Sequence, residues 1–231
     1  MAFDVLDEHE QGELVRKWLR ENALSIAIGV ALSIVLIFGW QQWKGHRVRH
    51  AAEAAAQYDA LAKAADDNKA DDVAKVADAV RKDYPDTVYA VLAAMHQADA
   101  AAKKGDLAAA ASALEWARQN AGLASLKSLA ALRLARVKLA QGDADGAIKL
   151  VDGLPKEDYA AAAAEVRGDA LVKLGRGDDA RKAYQDVLSN LDPMSPNRSF
   201  VQMKLDDLAA AAAAQAPAAA PAAPAKEKLG S

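Results

Sequence analysis

Hydrophobic and polar positions alternate along this chain in two incompatible ways. From Ala23 to Trp40 eighteen residues, ALSIAIGVALSIVLIFGW, pass without a charge, and no comparable run recurs. After His46 the apolar positions fall at helical spacing among lysine, aspartate and abundant alanine, with almost no strand signal. The first pattern predicts a helix that is apolar on every side. The second predicts a series of amphipathic helices, so the expected fold class is all-α.

A helix rises about 1.5 Å per residue, so Ala23 to Gln42 covers roughly the 30 Å hydrocarbon core of a bilayer. Trp40 and Trp43 stand where aromatic rings sit at headgroup depth, and Arg20 and Lys44 can extend outward from the two ends. A buried core helix of this length is seldom apolar on all faces. A cleaved signal peptide also fits poorly. The run starts after twenty-two residues and leads into Gln41-Gln42-Trp43-Lys44 rather than a small-x-small cleavage pattern. The reading is an uncleaved signal-anchor over 23–43. Inside it, Ser25, Gly29 and Ser33 are spaced four apart, a narrow stripe of small residues against which another transmembrane helix can pack closely. Before it, segment 1–22 places Leu14, Val15, Trp18 and Leu19 at helical spacing. That suits an interfacial lead-in helix, a partner-docking helix or a plain extension of the span.

The repeat domain is expected over 44–214. The pairs Gly105-Asp106, Gly142-Asp143 and Gly177-Asp178 follow one another at thirty-seven and thirty-five residues, the period of helix-turn-helix repeats. Glycine supplies the left-handed position that ends one helix, and aspartate caps the next. Small residues recur at matching places, Ala98, Ala135 and Gly168 on first helices and Ala110, Ala147 and Ala180 on second ones. This register resembles the tetratricopeptide repeat. The last unit matches best, through Gly168, Gly175, Ala180, Tyr184 and Pro193; Leu114 and Val151 take the large position in the middle units, where Pro155 arrives early. An earlier unit from about His46 to Tyr84 lacks the glycine and turns around Asp66-Asp67-Asn68. The expectation is about four hairpins in an α-solenoid. A further helix from about Asn197 to Ala214, carrying Phe200, Val201, Met203, Leu205 and Leu208, caps its open end. From residue 215 to 231 the alanine-proline composition predicts a disordered or polyproline tail.

Charge and candidate chemistry narrow the function. A formal net charge of -3, with both signs mixed along the chain, offers no footprint for nucleic acid. Arg16, Lys17 and Arg20 before the span balance Lys44, Arg47 and Arg49 after it, so the positive-inside rule does not orient the chain. Zero cysteines exclude disulfide and thiolate chemistry. His46 and His50 share a helix face but have no evident third ligand, and a polar membrane flank is the simpler account. The aspartates Asp66, Asp67, Asp71 and Asp72 lack the loop glycine and terminal glutamate of a calcium loop and read as a turn with helix caps, and Asp143, Asp145 and Gly146 fail the same test. Arg167-Gly168-Asp169 and Arg176-Gly177-Asp178 spell an adhesion tripeptide through repeat chemistry alone. No phosphate loop or nucleophile elbow appears. Neither an enzyme nor a cofactor is expected.

Residues Asp7 to Gln11, including Glu10 and Gln11, then Lys17-Trp18, Glu21-Asn22, Gly29, Gly39-Trp40 and Trp43 carry a further likeness. This stretch resembles the N-terminus of the YfgM family, ancillary subunits of the bacterial SecYEG translocon. One departure is Asn22-Ala23 where the family pattern has Asn-Gly. The resemblance implies a single-pass protein of the bacterial inner membrane, with its N-terminus in the cytoplasm and its repeat domain in the periplasm. It implies as partners the SecYEG translocon, a PpiD-type periplasmic chaperone, secreted client polypeptides and the membrane lipid. The implied role is to pass emerging chains to periplasmic chaperones, with a link to envelope-stress signalling. On that reading Tyr58, Tyr89, His96 and Arg133, all on first helices, are candidates to line a client surface, ordinary packing being the alternative. A general membrane-tethered tetratricopeptide scaffold for envelope assembly or cell division uses the same repeats.

Overall fold

Alanine, leucine, lysine and glutamate are strong helix formers, and in the computed structural model, which describes residues 8–215, they build an all-helical chain. The helices are α1 (Glu8–Asp66), α2 (Ala70–Asp83), α3 (Val88–Lys103), α4 (Leu107–Asn120), α5 (Ala124–Ala140), α6 (Ala144–Asp152), α7 (Ala160–Lys173), α8 (Gly177–Asn190) and α9 (Asn197–Gln215). The chain divides after Glu53 into two compact units. The alanine-proline tail expected after residue 215 lies outside the described residues.

Of the alternatives for segment 1–22, the structure has, from Glu8 onward, the plain extension of the span, and one helix of 59 residues runs on without a break into the first repeat helix. The reason is local. No proline interrupts Glu8–Asp66, and each isolated glycine, such as Gly29, Gly39 or Gly45, costs a helix only about 1 kcal/mol.

From Ala54 onward the turns follow a shared design. Asn68, Gly105, Gly142 and Gly175 are the left-handed residues between paired helices, with φ of 56°, 81°, 89° and 71°. At each, the next residue's N–H reaches back to a carbonyl of the last helical turn: Lys69 to Ala64, Asp106 to Ala101, Asp143 to Lys138 and Arg176 to Leu171, all at 2.9 Å. These are Schellman closures, which satisfy carbonyls that a helix end leaves open. Asp106 and Asp143 then cap the following helix by accepting from the Ala109 and Gly146 N–H groups, each at 2.9 Å. The third turn corrects the sequence reading. Gly175 occupies the left-handed position, Gly177 is the first residue of α8, and Arg176 stands at the cap without a side-chain acceptor. Arg176 instead pairs with Asp179 at 2.8 Å, one turn into α8.

Gly142 isolates the backbone contribution, because a β-carbon there would meet nothing within 4 Å. Gly142→Val is therefore expected to cost about 1–2 kcal/mol from the left-handed conformation alone. Gly142→Asn should cost less, since Asn68 already serves in the same role at φ 56°. Urea unfolding of the two variants checks the ranking.

The hairpins α3/α4, α5/α6 and α7/α8 stack in order, and the first helices α3, α5 and α7 touch in succession. Their core is built largely from alanine, so helices approach closely around a few large side chains. Leu61, Val73, Val80 and Ala90 form the first cluster; Met95 and Leu114 anchor the second, Leu132 and Val151 the third, and Leu171, Tyr184 and Val187 the last. Helix α6 ends after only nine residues, where Gly153 and then Pro155 interrupt it. Helix α9 packs on α8. Val201, Leu205 and Leu208 supply its buried face, whereas Phe200 and Met203, also expected to pack, are about half exposed. Their positions at 200 and 203 fall off the 201–205–208 stripe, a consequence of helical spacing.

Candidate functional site

The N-terminal unit presents its apolar run to the surroundings. Its helix contains one stretch long and apolar enough to cross a membrane, with a mean hydropathy of 2.4 and no part of that stretch buried. Within it, the Ser33 hydroxyl donates to the Gly29 carbonyl at 2.8 Å, turning its polar atom back onto the helix. A β-carbon at Gly29 would meet nothing within 4 Å, and Ser25 shares the exposed stripe. Of the anchor-motif residues, Glu10 and Gln11 lie in the first turns of α1. Lys17, Trp18 and Glu21 are exposed, and the Asn22 amide donates to the Trp18 carbonyl at 2.9 Å. Gly39, Trp40 and Trp43 are exposed at the far end, with the two indole rings 5.3 Å apart. The Arg47 guanidinium lies 4.9 Å over the Trp43 ring.

In the repeat unit, the register residues are interior. Ala98, Ala110, Ala135, Ala147, Gly168, Ala180 and Tyr184 are all buried, and Gly105, Gly142 and Gly175 sit in the turns. They shape the repeats and present no reactive group. The polar side chains of interest lie on the first helices. Tyr58 of α1 and His96 of α3 are hydrogen-bonded, with Oη to Nε2 at 3.0 Å. The Tyr58 ring is 5.8 Å from that of Tyr89. Arg133 of α5 donates to the Asp99 carboxylate of α3 at 3.1 Å. Burial pushes the Tyr58 hydroxyl above the usual phenol range and Asp59 adds to the shift, while Arg133 draws it back. Tyr58, Tyr89 and His96 therefore form one half-buried cluster, and Arg133 is close enough to act on it.

Beside this cluster is an open cavity of about 450 Å³, lined by Ala65, Asn68, Val73, His96, Asp99 and Ala100. Its ten lining residues divide evenly between alanine or valine and polar or charged side chains, Asp66 and Lys103 among the latter. Among the described residues no three histidine, aspartate or glutamate side chains converge as a metal site.

Sequence reasoning missed two arrangements. Asp99 lies thirty-four residues before Arg133, about one repeat less one helical turn, a spacing from which the pair is readable. Lys204 of α9 has no such local signal. Its ammonium donates to Glu165 at 2.8 Å and to Asp169 at 2.7 Å, and Asp169 also accepts from the Tyr184 hydroxyl at 2.6 Å. Burial alone would lower the Lys204 pKa, but these two carboxylates outweigh it and hold the group above the ordinary lysine range. The cluster ties the last hairpin to its capping helix.

Comparison with known proteins places this architecture. A tetratricopeptide repeat-like domain model matches residues 16–210. The chain is 32% identical over 203 residues to the ancillary SecYEG translocon subunit of Escherichia coli, covering 87% of this chain and 97% of that protein. It is 28% identical to the protein of the same name from Haemophilus influenzae, covering 90% of this chain and all of the relative. Among solved structures, a Podosopora anserina kinesin light chain with nearly identical TPR-like repeats superposes with a TM-score of 0.55 over 71% of this chain and 89% of its own, at 15% identity, a likeness of fold alone. The chain belongs to the YfgM family, tetratricopeptide repeat-like proteins whose relatives carry the name ancillary SecYEG translocon subunit.

Proposed function

We propose that this protein is a non-enzymatic, membrane-anchored adaptor of the SecYEG translocon. The observation that carries the reading is the full-length match to relatives bearing that name, 97% and 100% of their lengths at 32% and 28% identity. The apolar stretch of α1 supplies the anchor, N-terminus in the cytoplasm and repeats in the periplasm. The stripe Ser25, Gly29 and Ser33 supplies a face on which a translocon helix packs closely.

Tethering confines the repeat unit near a channel exit, which raises its effective concentration for emerging chains without any new contact. The cluster of Tyr58, Tyr89, His96 and Arg133, with its neighbouring cavity, receives a segment of the secreted polypeptide. A PpiD-type chaperone then takes the client over. The link to envelope-stress signalling belongs to the cytoplasmic segment.

Photo-crosslinking residues placed at Ile26 and at Tyr89, in native membranes, test both halves. The first is expected to capture translocon subunits, and Gly29→Leu to reduce that capture severalfold. The second is expected to capture secreted chains or a periplasmic chaperone. Capture of a different envelope complex from both positions would replace the translocon reading with that of a general scaffold.

A further inference from the structure

The C-terminal flank of the apolar run carries a feature that neither the repeats nor the small-residue stripe uses. Trp40, Trp43, Lys44 and Arg47 are spaced three and four apart, so they share one helix face, and all are exposed. Arg47 is not a loose side chain: its guanidinium lies 4.9 Å over the Trp43 ring, which in turn lies 5.3 Å from Trp40. This stacking holds the planar fork beside the helix. No carboxylate occurs between Glu21 and Glu53, so nothing one turn away neutralises Lys44 or Arg47.

Depth decides what these cations meet. With Gln42 at the edge of the hydrocarbon, a 1.5 Å rise puts Lys44 about 3 Å and Arg47 about 8 Å beyond it, within the headgroup layer. The opposite flank is different. There Glu13 stands three residues from Arg16 and four from Lys17, and Glu21 four from Lys17, so both of these bases have a carboxylate one turn away that offsets their charge.

We propose that Trp40, Trp43, Lys44 and Arg47 form a binding site for the phosphate of an anionic phospholipid. The Arg47 fork takes two phosphate oxygens, Lys44 supplies a second positive charge, and the indole faces carry the glycerol and upper acyl chain. The proposal rests on α1 crossing a bilayer and is independent of the translocon reading.

The test uses the full-length protein reconstituted in nanodiscs of equal parts phosphatidylglycerol and phosphatidylcholine. Native mass spectrometry then reads which lipid stays bound as the disc is removed. Wild type is expected to retain phosphatidylglycerol preferentially. Lys44→Gln and Arg47→Gln should each lower that preference about fivefold, and Trp43→Leu should lower it by releasing Arg47. Arg16→Gln with Lys17→Gln should leave it in place. Equal retention of both lipids by wild type would overturn the proposal. So would a preference that survives loss of Lys44 and Arg47, or one that falls equally with the opposite-flank substitutions, which would mark bulk charge attraction rather than a built site. Recovery of each variant in the disc fraction shows that it has inserted.

Discussion

Gly168→Ala should destabilise the last hairpin by about 1–3 kcal/mol, a shift of roughly 3–10 °C in melting temperature for a domain of this size. The β-carbon it adds would lie 2.5 Å from Cε1 and 2.7 Å from Cδ1 of Tyr184, closer than any real contact. An exposed ring would swing aside. Tyr184 is only 2% exposed, and its hydroxyl is held by Asp169 at 2.6 Å. Asp169 is also bound to Lys204 of α9, so displacing the ring disturbs the capping helix as well. Hydrogen exchange should therefore lose protection first in α7, α8 and α9, while α3 and α4 keep theirs, as expected of a stack in which each repeat contacts only its neighbours. Gly168→Ala combined with Tyr184→Leu should recover part of the loss. Additive effects of the two substitutions would contradict a direct clash.

The same position shows what was legible in the sequence. Gly168, Ala180 and Tyr184 stand in a register that local spacing reveals, because close packing of paired helices demands small residues at fixed intervals. The turns at Gly105 and Gly142 were legible for the same reason: each glycine precedes a capping aspartate. The third turn misled because two glycines flank Arg176. The φ of 71° at Gly175 and the reach of the Arg176 N–H back to the Leu171 carbonyl assign the left-handed position to Gly175.

The unbroken α1 was not legible, since a change of composition at His46 resembles a boundary although no residue there breaks a helix. Least legible were contacts between distant positions. Tyr58 and His96 are thirty-eight residues apart, and Lys204 is thirty-nine from Glu165, so helical periodicity alone cannot pair them. It assigns faces, and packing assigns partners. Phe200 and Met203 on α9 teach the converse, because their spacing from Val201 already placed them off the buried stripe.

Leu61→Ala should cost about 2–5 kcal/mol, the largest effect expected from a single truncation at the start of the repeat unit. Leu61 is fully buried among Val73, Ala77, Val80 and Ala90, and it joins α1 to the first hairpin's partner helix and to α3. The surrounding residues are too small to close a leucine-sized void, which places the cost toward the upper end. A terminal hairpin has a neighbour on one side only within a stack, so the loss should be local: exchange protection falls in α2 and the last turns of α1 while α7 and α8 are unchanged. Leu61→Met keeps the volume and should cost less than about 1.5 kcal/mol. Function separates the two readings of the neighbouring cluster. Tyr58 lies one turn before Leu61 and is held at 3.0 Å from His96 only while that turn is packed against α3. If the Tyr58, Tyr89 and His96 cluster receives polypeptide, crosslinking from Tyr89 should fall with Leu61→Ala and persist with Leu61→Met. Undiminished crosslinking in Leu61→Ala, with exchange showing the hairpin open, would place the client elsewhere on the repeats.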